Sequence, residues 1–242
     1  MDPAVHLRSA VALAGRFPAL SGVDLDVAPG EVVAVLGPNG AGKTSLLRAC
    51  AGLVPVTSGD AVVLGCDLRE DRTAVRRRVG LLGHDASLYD ELSAAENVRF
   101  ALRAAGVSSR VATARADGAL DRLGLVGRLR RTPALRLSAG QRRRAALAVL
   151  VARAPELWLM DEPHAGLDAG ARSLVASLVA DAATDGAAVV LTSHEPDLSV
   201  PLADRVVVMA GGRVAEVRPG GRDVAAAPPL LVAVKGDDAD VA

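Results

Sequence analysis

The octapeptide Gly37-Pro38-Asn39-Gly40-Ala41-Gly42-Lys43-Thr44 limits how this chain can fold more than any other feature, because it follows directly on an apolar run, Val32 to Leu36. It matches G-x-x-x-x-G-K-[ST], a pattern with a physical mechanism. Gly37, Gly40 and Gly42 allow left-handed backbone, which turns successive amides inward toward an anion. A helix expected from Thr44 to Ala51, closed by Gly52, adds the positive end of its dipole. Lys43 supplies a point charge for β and γ phosphates, Thr44 a hydroxyl for Mg2+, and Ser45 a contact to the α phosphate. Lysine is needed here, since a narrow cradle wants a compact charge on a thin stem. Elsewhere the chain uses arginine for every positive side chain except Lys235, which has no evident role.

A strand feeding a glycine loop and a helix predicts an α/β fold, and the rest of the chain has the matching alternation. Leu157 to Met160 and Ala187 to Thr192 read as further buried strands of a mainly parallel sheet with helices on both faces. Arg205 to Met209 and Arg213 to Val217 flank Gly211-Gly212, a hairpin signal. Val5 to Leu7 and Val23 to Val27 are expected as antiparallel strands on the sheet's edge. Residues from about 86 to 150 read instead as a helical insert. There Ser93-Ala94-Ala95-Glu96 forms a capping box, opening a helix to about Ala105 that stops at Gly106. The main domain is expected over 1–220 and a loosely packed tail over 221–242, in which Leu230 to Val234 would add an edge strand or dock.

Composition removes several function classes. The 28 basic and 28 acidic residues cancel to a formal net charge of zero, so no nucleic-acid partner is expected. One Trp, one Tyr and two Phe leave no platform for stacking single strands. Apolar residues make up 50% of the chain, yet no run approaches the ~20 residues that span a bilayer. The start, MDPAVHLRSA, lacks a basic and then apolar leader, so an intracellular chain with Cys50 and Cys66 reduced is expected.

A second chemical element is Leu157-Trp158-Leu159-Met160-Asp161-Glu162. The apolar residues bury a strand and deliver Asp161 to its carboxyl end, where open α/β sheets bind ligands. Asp161 is placed to hold Mg2+, and Glu162 to deprotonate an attacking water. Between the two elements Ser138 and Gln141 make another capping box, S-x-x-Q, opening a helix through about Ala152. Such a helix start is either an ordinary cap or a second anion site. Arg142, Arg143 and Arg144 either brush phosphates or form a solvated face with one arginine packed inward.

Taken together, the motifs resemble those of ABC-type ATPases. Leu137-Ser138-Ala139-Gly140-Gln141 looks like the signature motif, Ala165-Gly166-Leu167-Asp168 like the D-loop, and His194 like the switch histidine. The resemblance implies a P-loop NTPase fold, with a RecA-like core, an antiparallel β subdomain and the inserted helical subdomain. It implies a subunit that binds and hydrolyses ATP with Mg2+. Lys43, Glu162 and His194 would be catalytic, and Ser138, Gly140 and Gln141 would bind the nucleotide held by a second ATP-binding subunit, in a homodimer or a heterodimer. An integral membrane permease subunit would be the partner, with the chain peripheral on the cytoplasmic face of the membrane.

Two positions depart from the family pattern. His84 stands where relatives carry a glutamine that binds Mg2+ and senses the γ phosphate; imidazole is shorter and titrates near neutral pH. Ala14 stands where an aromatic usually stacks on adenine; Phe17 or Arg16 would substitute, or Phe17 packs against the sheet. The wording Gly83-His84, Glu91-Leu92-Ser93-Ala94-Ala95-Glu96-Asn97 and LSAGQRRRAALA is similar to the ATP-binding subunit of the haem exporters of cytochrome c maturation. The alternatives are another exporter's ATPase (drug, lipid or ABC-2 type), an ABC ATPase acting on nucleic acid, and a small-molecule kinase.

Overall fold

In the computed structural model, which describes residues 2–85 and 87–222, the chain opens with a long hairpin, β1 (Val5–Ala14) and β2 (Phe17–Val27). Strand β3 (Val32–Leu36) runs into the glycine loop and helix α1 (Lys43–Cys50). Next come β4 (Val56–Val63), β5 (Cys66–Asp67), the single turn α2 (Leu68–Asp71) and β6 (Val79–Leu82). Three helices follow, α3 (Ala94–Ala104), α4 (Ser109–Arg122) and α5 (Ala139–Arg153). The chain returns through β7 (Leu157–Asp161), α6 (Ala169–Thr184), β8 (Ala188–Thr192), the short α7 (Pro196–Ser199) and a final hairpin, β9 (Arg205–Ala210) and β10 (Arg213–Pro219).

The main sheet has the order β10-β9-β3-β8-β7-β6. Its strands from β9 to β6 are parallel, and β10 pairs antiparallel to β9. Every residue of β3, β7 and β8 is buried, as the unbroken apolar runs require of a sheet covered on both faces. Alternate residues feed two cores. Val33, Val35, Leu157 and Leu159 face α1 with Leu46 and Leu47, while Val32, Ala34, Trp158 and Met160 face the layer containing Val98, Leu147 and Leu178. Gly211 and Gly212 turn the last hairpin with φ of 54° and 77°, as a two-residue turn with both centres left-handed demands.

The first hairpin is not on the edge of this sheet, contrary to the expectation from sequence. With β4 and β5 it makes a separate antiparallel sheet of order β2-β1-β4-β5, packed against α1. A bulge obscures the signal in the sequence. Ser9 has φ of 47°, and the register jumps between Leu7 and Ala10, so inward residues switch from odd (Val5, Leu7) to even (Ala10, Ala12). That switch breaks the period-two signal and shortens the strand visible in the sequence. Strand β4 is masked similarly by its Ser-Gly-Asp centre, in which Gly59 has φ of 81°.

Both capping boxes form. Ser93 and Glu96 close the start of α3, and Ser138 and Gln141 the start of α5. Helices α3, α4 and α5 pack on one another as the inserted layer. At the far end Gly220 and Arg222 donate backbone hydrogen bonds to Asp204 and Ala203, so the chain is still anchored at Arg222. Leu230 to Val234 lie outside the described residues. Among the described residues, no helix is long and apolar enough to cross a membrane.

Candidate active site

Parallel strands place their carboxyl ends on one edge, and here four neighbours end with the residues singled out above. β3 leads into the glycine loop, β8 into Ser193-His194, β7 into Glu162, and β6 into Gly83-His84. Their loops enclose a cleft of about 560 Å³ lined by Asn39 to Ser45, His84, Asp161, Glu162, His194 and Ala19. This is the crevice where open α/β sheets receive ligands.

Two glycines of the loop have no substitute. Gly37 has φ of 143°, and a Cβ there would lie 2.2 Å from the Met209 carbonyl oxygen. Gly42 has φ of 101°, and a Cβ would lie 2.6 Å from the Ala19 carbonyl oxygen. Gly42 is also the N-cap of α1 and offers no side-chain acceptor, so the first amides of the helix are left for an anion. Lys43 is buried, and its Nζ donates to the carbonyls of Gly37 (2.7 Å) and Pro38 (3.2 Å). The ammonium is thus held inside the loop it would serve.

A chain of short contacts joins this loop to the carboxylates. Thr44 Oγ1 donates to Asp161 Oδ2 at 2.8 Å, and Thr192 Oγ1 donates to Asp161 Oδ1 at 2.6 Å. The same Thr192 hydroxyl accepts the Glu162 amide at 3.1 Å. Glu162 has φ of 50°, in the left-handed region that a non-glycine residue rarely occupies. Its Oε2 accepts from His194 Nδ1 (2.8 Å) and from the His194 amide (3.3 Å). A carboxylate only accepts, so Nδ1 carries the imidazole proton in this contact.

A hydroxyl touching a carboxylate is a hard oxygen pair that suits Mg2+. Among the described residues, no three His, Cys, Asp or Glu are grouped to hold a metal unaided. A cation between Thr44 and Asp161 would therefore complete its shell from phosphate and water oxygens. His84 lines the same cleft. His164, in the loop after β7, is buried with Nδ1 unpaired, and burial, reinforced by Arg172, pushes its pKa down.

Other predicted residues lie apart. Ser138, Gly140 and Gln141 are outside the cleft lining, at the start of α5. A Cβ at Gly140 would sit 3.9 Å from the Gly166 carbonyl oxygen, so the segments around Gly140 and Gly166 adjoin within one chain. Phe17 is 79% exposed, which excludes packing against the sheet. Arg143 is the arginine of its trio that turns inward, whereas Arg142 pairs with Asp90. Thr192 was not anticipated as a site residue; its only signal is a hydroxyl ending an otherwise apolar strand.

The sequence profile of the ABC transporter family matches residues 20–165, from β2 through the loop after β7. The chain belongs to the ABC transporter family. Its relatives among ABC proteins include the Fe(3+) ions import ATP-binding protein FbpC of Streptomyces avermitilis, 40% identical over 213 residues, covering 88% of this chain and 61% of FbpC. The daunorubicin resistance ATP-binding protein DrrA3 of Streptomyces coeruleorubidus is also 40% identical, covering 88% of this chain and 67% of DrrA3. The chain thus spans about three fifths of the length of FbpC. Among solved ABC structures, the dimeric cassette MJ0796 superposes with a TM-score of 0.82 at 25% identity, covering 91% of this chain and all of that one. A post-hydrolysis MJ0796 dimer bound to ADP and Pi gives the same TM-score at 26% identity. The P-loop α/β fold expected from the sequence is therefore the fold of ABC cassettes.

Proposed function

We propose that this chain is the ATP-hydrolysing motor subunit of an ABC transporter, pairing with a second ATP-binding subunit, in a homodimer by preference, around two ATP. The observation that carries the reading is the continuous path from Thr44 through Asp161 and Thr192 to Glu162. It supports the reading because the glycine loop, Asp161 and Glu162 line one cleft. The loop from Gly37 to Gly42 with Ser45 surrounds the phosphates, and Lys43 exchanges its carbonyl partners for the β and γ oxygens. Thr44 and Asp161, with His84 from the facing loop, would hold Mg2+, which when bound neutralises charge on those phosphates. Glu162 takes the proton of the attacking water, and the imidazole Nδ1–H of His194 fixes the carboxylate's direction. Phe17, exposed two residues before the cleft-lining Ala19, is available to stack on adenine.

Ser138, Gly140 and Gln141 lie outside the lining of their own chain's cleft, which supports their use on the nucleotide of a second subunit. A permease partner is supported by an exposed apolar group on the helical layer. Tyr89 and Phe100 meet edge to face at 4.9 Å between ring centres, and the Leu135 amide bonds to Asp90 beside them. Docking there would hold the chain on the cytoplasmic face of the membrane. Haem export rests on the wording around His84 and the signature, and the relatives' names do not support it. A drug exporter is the second reading, supported by the name of the daunorubicin resistance protein, although the Fe(3+) import protein FbpC is equally 40% identical.

Phosphate release by the purified chain tests the core of this reading. Lys43→Ala should lose ATP binding or turnover. Ser138→Arg should keep ATP binding and lose turnover; full turnover in that variant contradicts the composite site.

A further inference from the structure

Arg143 lies on the second turn of α5 and is 5% exposed. Its Nη1 donates to the carbonyls of Gly83 (2.5 Å) and His84 (3.2 Å). Its Nη2 donates to the carbonyls of Asp161 (2.7 Å) and Glu162 (2.7 Å). One guanidinium therefore ties two loops, the one after β6 that carries His84 and the one after β7 that carries Glu162. No salt bridge joins it to a carboxylate among the described residues, and its Nε is buried without a partner. A buried cation is unfavourable, and an apolar side chain would fill the same space more simply. Its neighbour Arg142 reaches out to Asp90 instead, so the inward turn is specific to Arg143.

Glu162 has the left-handed backbone that most needs support, and its peptide is gripped at two points. Thr192 takes its amide and Arg143 its carbonyl. Arg143 also follows Ser138 by five residues on one helix, about 7.5 Å of rise. We infer that Arg143 is a positioning residue that couples the start of α5 and the His84 loop to Glu162, so that displacing either one moves the base. This rests on the reading of Glu162 as the general base. Only a planar fork with several donors can serve four carbonyls from two loops; an ammonium cannot.

The test compares Arg143→Lys and Arg143→Gln with the parent chain, measuring kcat and KM for ATP and the Kd of a fluorescent ATP analogue. Loss of second-layer support predicts a kcat fall of roughly 10- to 100-fold with Kd changed less than about threefold. Free guanidinium ion added to Arg143→Ala should restore part of the lost kcat. Unchanged kcat in both variants overturns the proposal. So does a Kd that weakens in step with kcat, or loss of cooperative melting in both variants, since either makes Arg143 a fold residue. Glu162→Gln separates the two claims. Retained turnover there removes the base and the coupling proposal with it, whereas an inactive Glu162→Gln beside fully active Arg143 variants refutes the coupling alone.

Discussion

Thr192→Val removes one hydroxyl from a fully buried site and leaves the side-chain shape nearly unchanged. The loss is twofold. Asp161 Oδ1 loses its donor at 2.6 Å, and the Glu162 amide loses its acceptor at 3.1 Å. A hydrogen bond to a charged group contributes about 1.5–3 kcal/mol, and an orphaned buried N–H costs about 1–3 kcal/mol. Partial relaxation brings the sum to about 3–4 kcal/mol. At about 2–4 °C per kcal/mol for a chain of this length, Tm should fall by roughly 6–16 °C. Because one hydroxyl orients both Asp161 and Glu162, kcat should also drop about 10- to 100-fold. Thermal melts followed by circular dichroism and steady-state phosphate release measure the two effects. Thr192→Ser keeps the hydroxyl and loses one methyl, a change of about 0.5–1.5 kcal/mol by analogy with Ile→Val, so it should stay near parental turnover. The reasoning fails if Thr192→Val melts within about 2 °C of the parent at parental kcat. It also fails if Ser is as damaging as Val.

Two further predictions concern ionisation away from the cleft. Burial alone would raise the Asp26 carboxyl, but hydrogen bonds from Arg8 and His6 outweigh it and hold the pKa below the usual range. A depressed carboxylate stabilises the fold above its unfolded value, about pH 4, and that contribution is lost as pH falls through the folded value. Asp26→Asn should therefore lose less Tm than the parent on acidification below about pH 4; parallel curves would contradict this. Burial pushes the Cys50 thiol up to about 12, while Cys66 is half-buried. A thiol reagent at pH 8 should label Cys66 in the native chain and Cys50 only after denaturation, and rapid native labelling of both refutes the burial argument.

The fold was legible wherever one local rule acted alone. Unbroken apolar runs marked β3, β7 and β8, and the two capping boxes located the starts of α3 and α5. Where tertiary geometry interrupts the local signal, the sequence was silent. The bulge at Ser9 inverts the parity of β1 and obscures a strand of ten residues, so apolar patterning alone placed these strands on the main sheet's edge, and only the family resemblance implied the separate antiparallel unit. Strand β6, only four residues long, gives too little periodicity to read. The cleft shows the same division. Lys43, Thr44, Asp161 and Glu162 announce themselves by spacing, because each lies in the motif that uses it. Thr192 reaches Asp161, 31 residues away, through its hydroxyl, and Arg143 reaches four carbonyls that lie 18 to 60 residues away. Only the folded backbone brings those groups together.

The central claim is that Glu162 cleaves ATP in a site completed by a second chain's Ser138. The most direct measurement is the solution mass of Glu162→Gln with ATP and Mg2+, alone and combined with Ser138→Arg. Blocking hydrolysis should trap a dimer at twice the 24.6 kDa chain mass, and the added arginine should return it to monomer. A Glu162→Gln chain that binds ATP yet stays monomeric would contradict the claim, as would a dimer indifferent to Ser138→Arg.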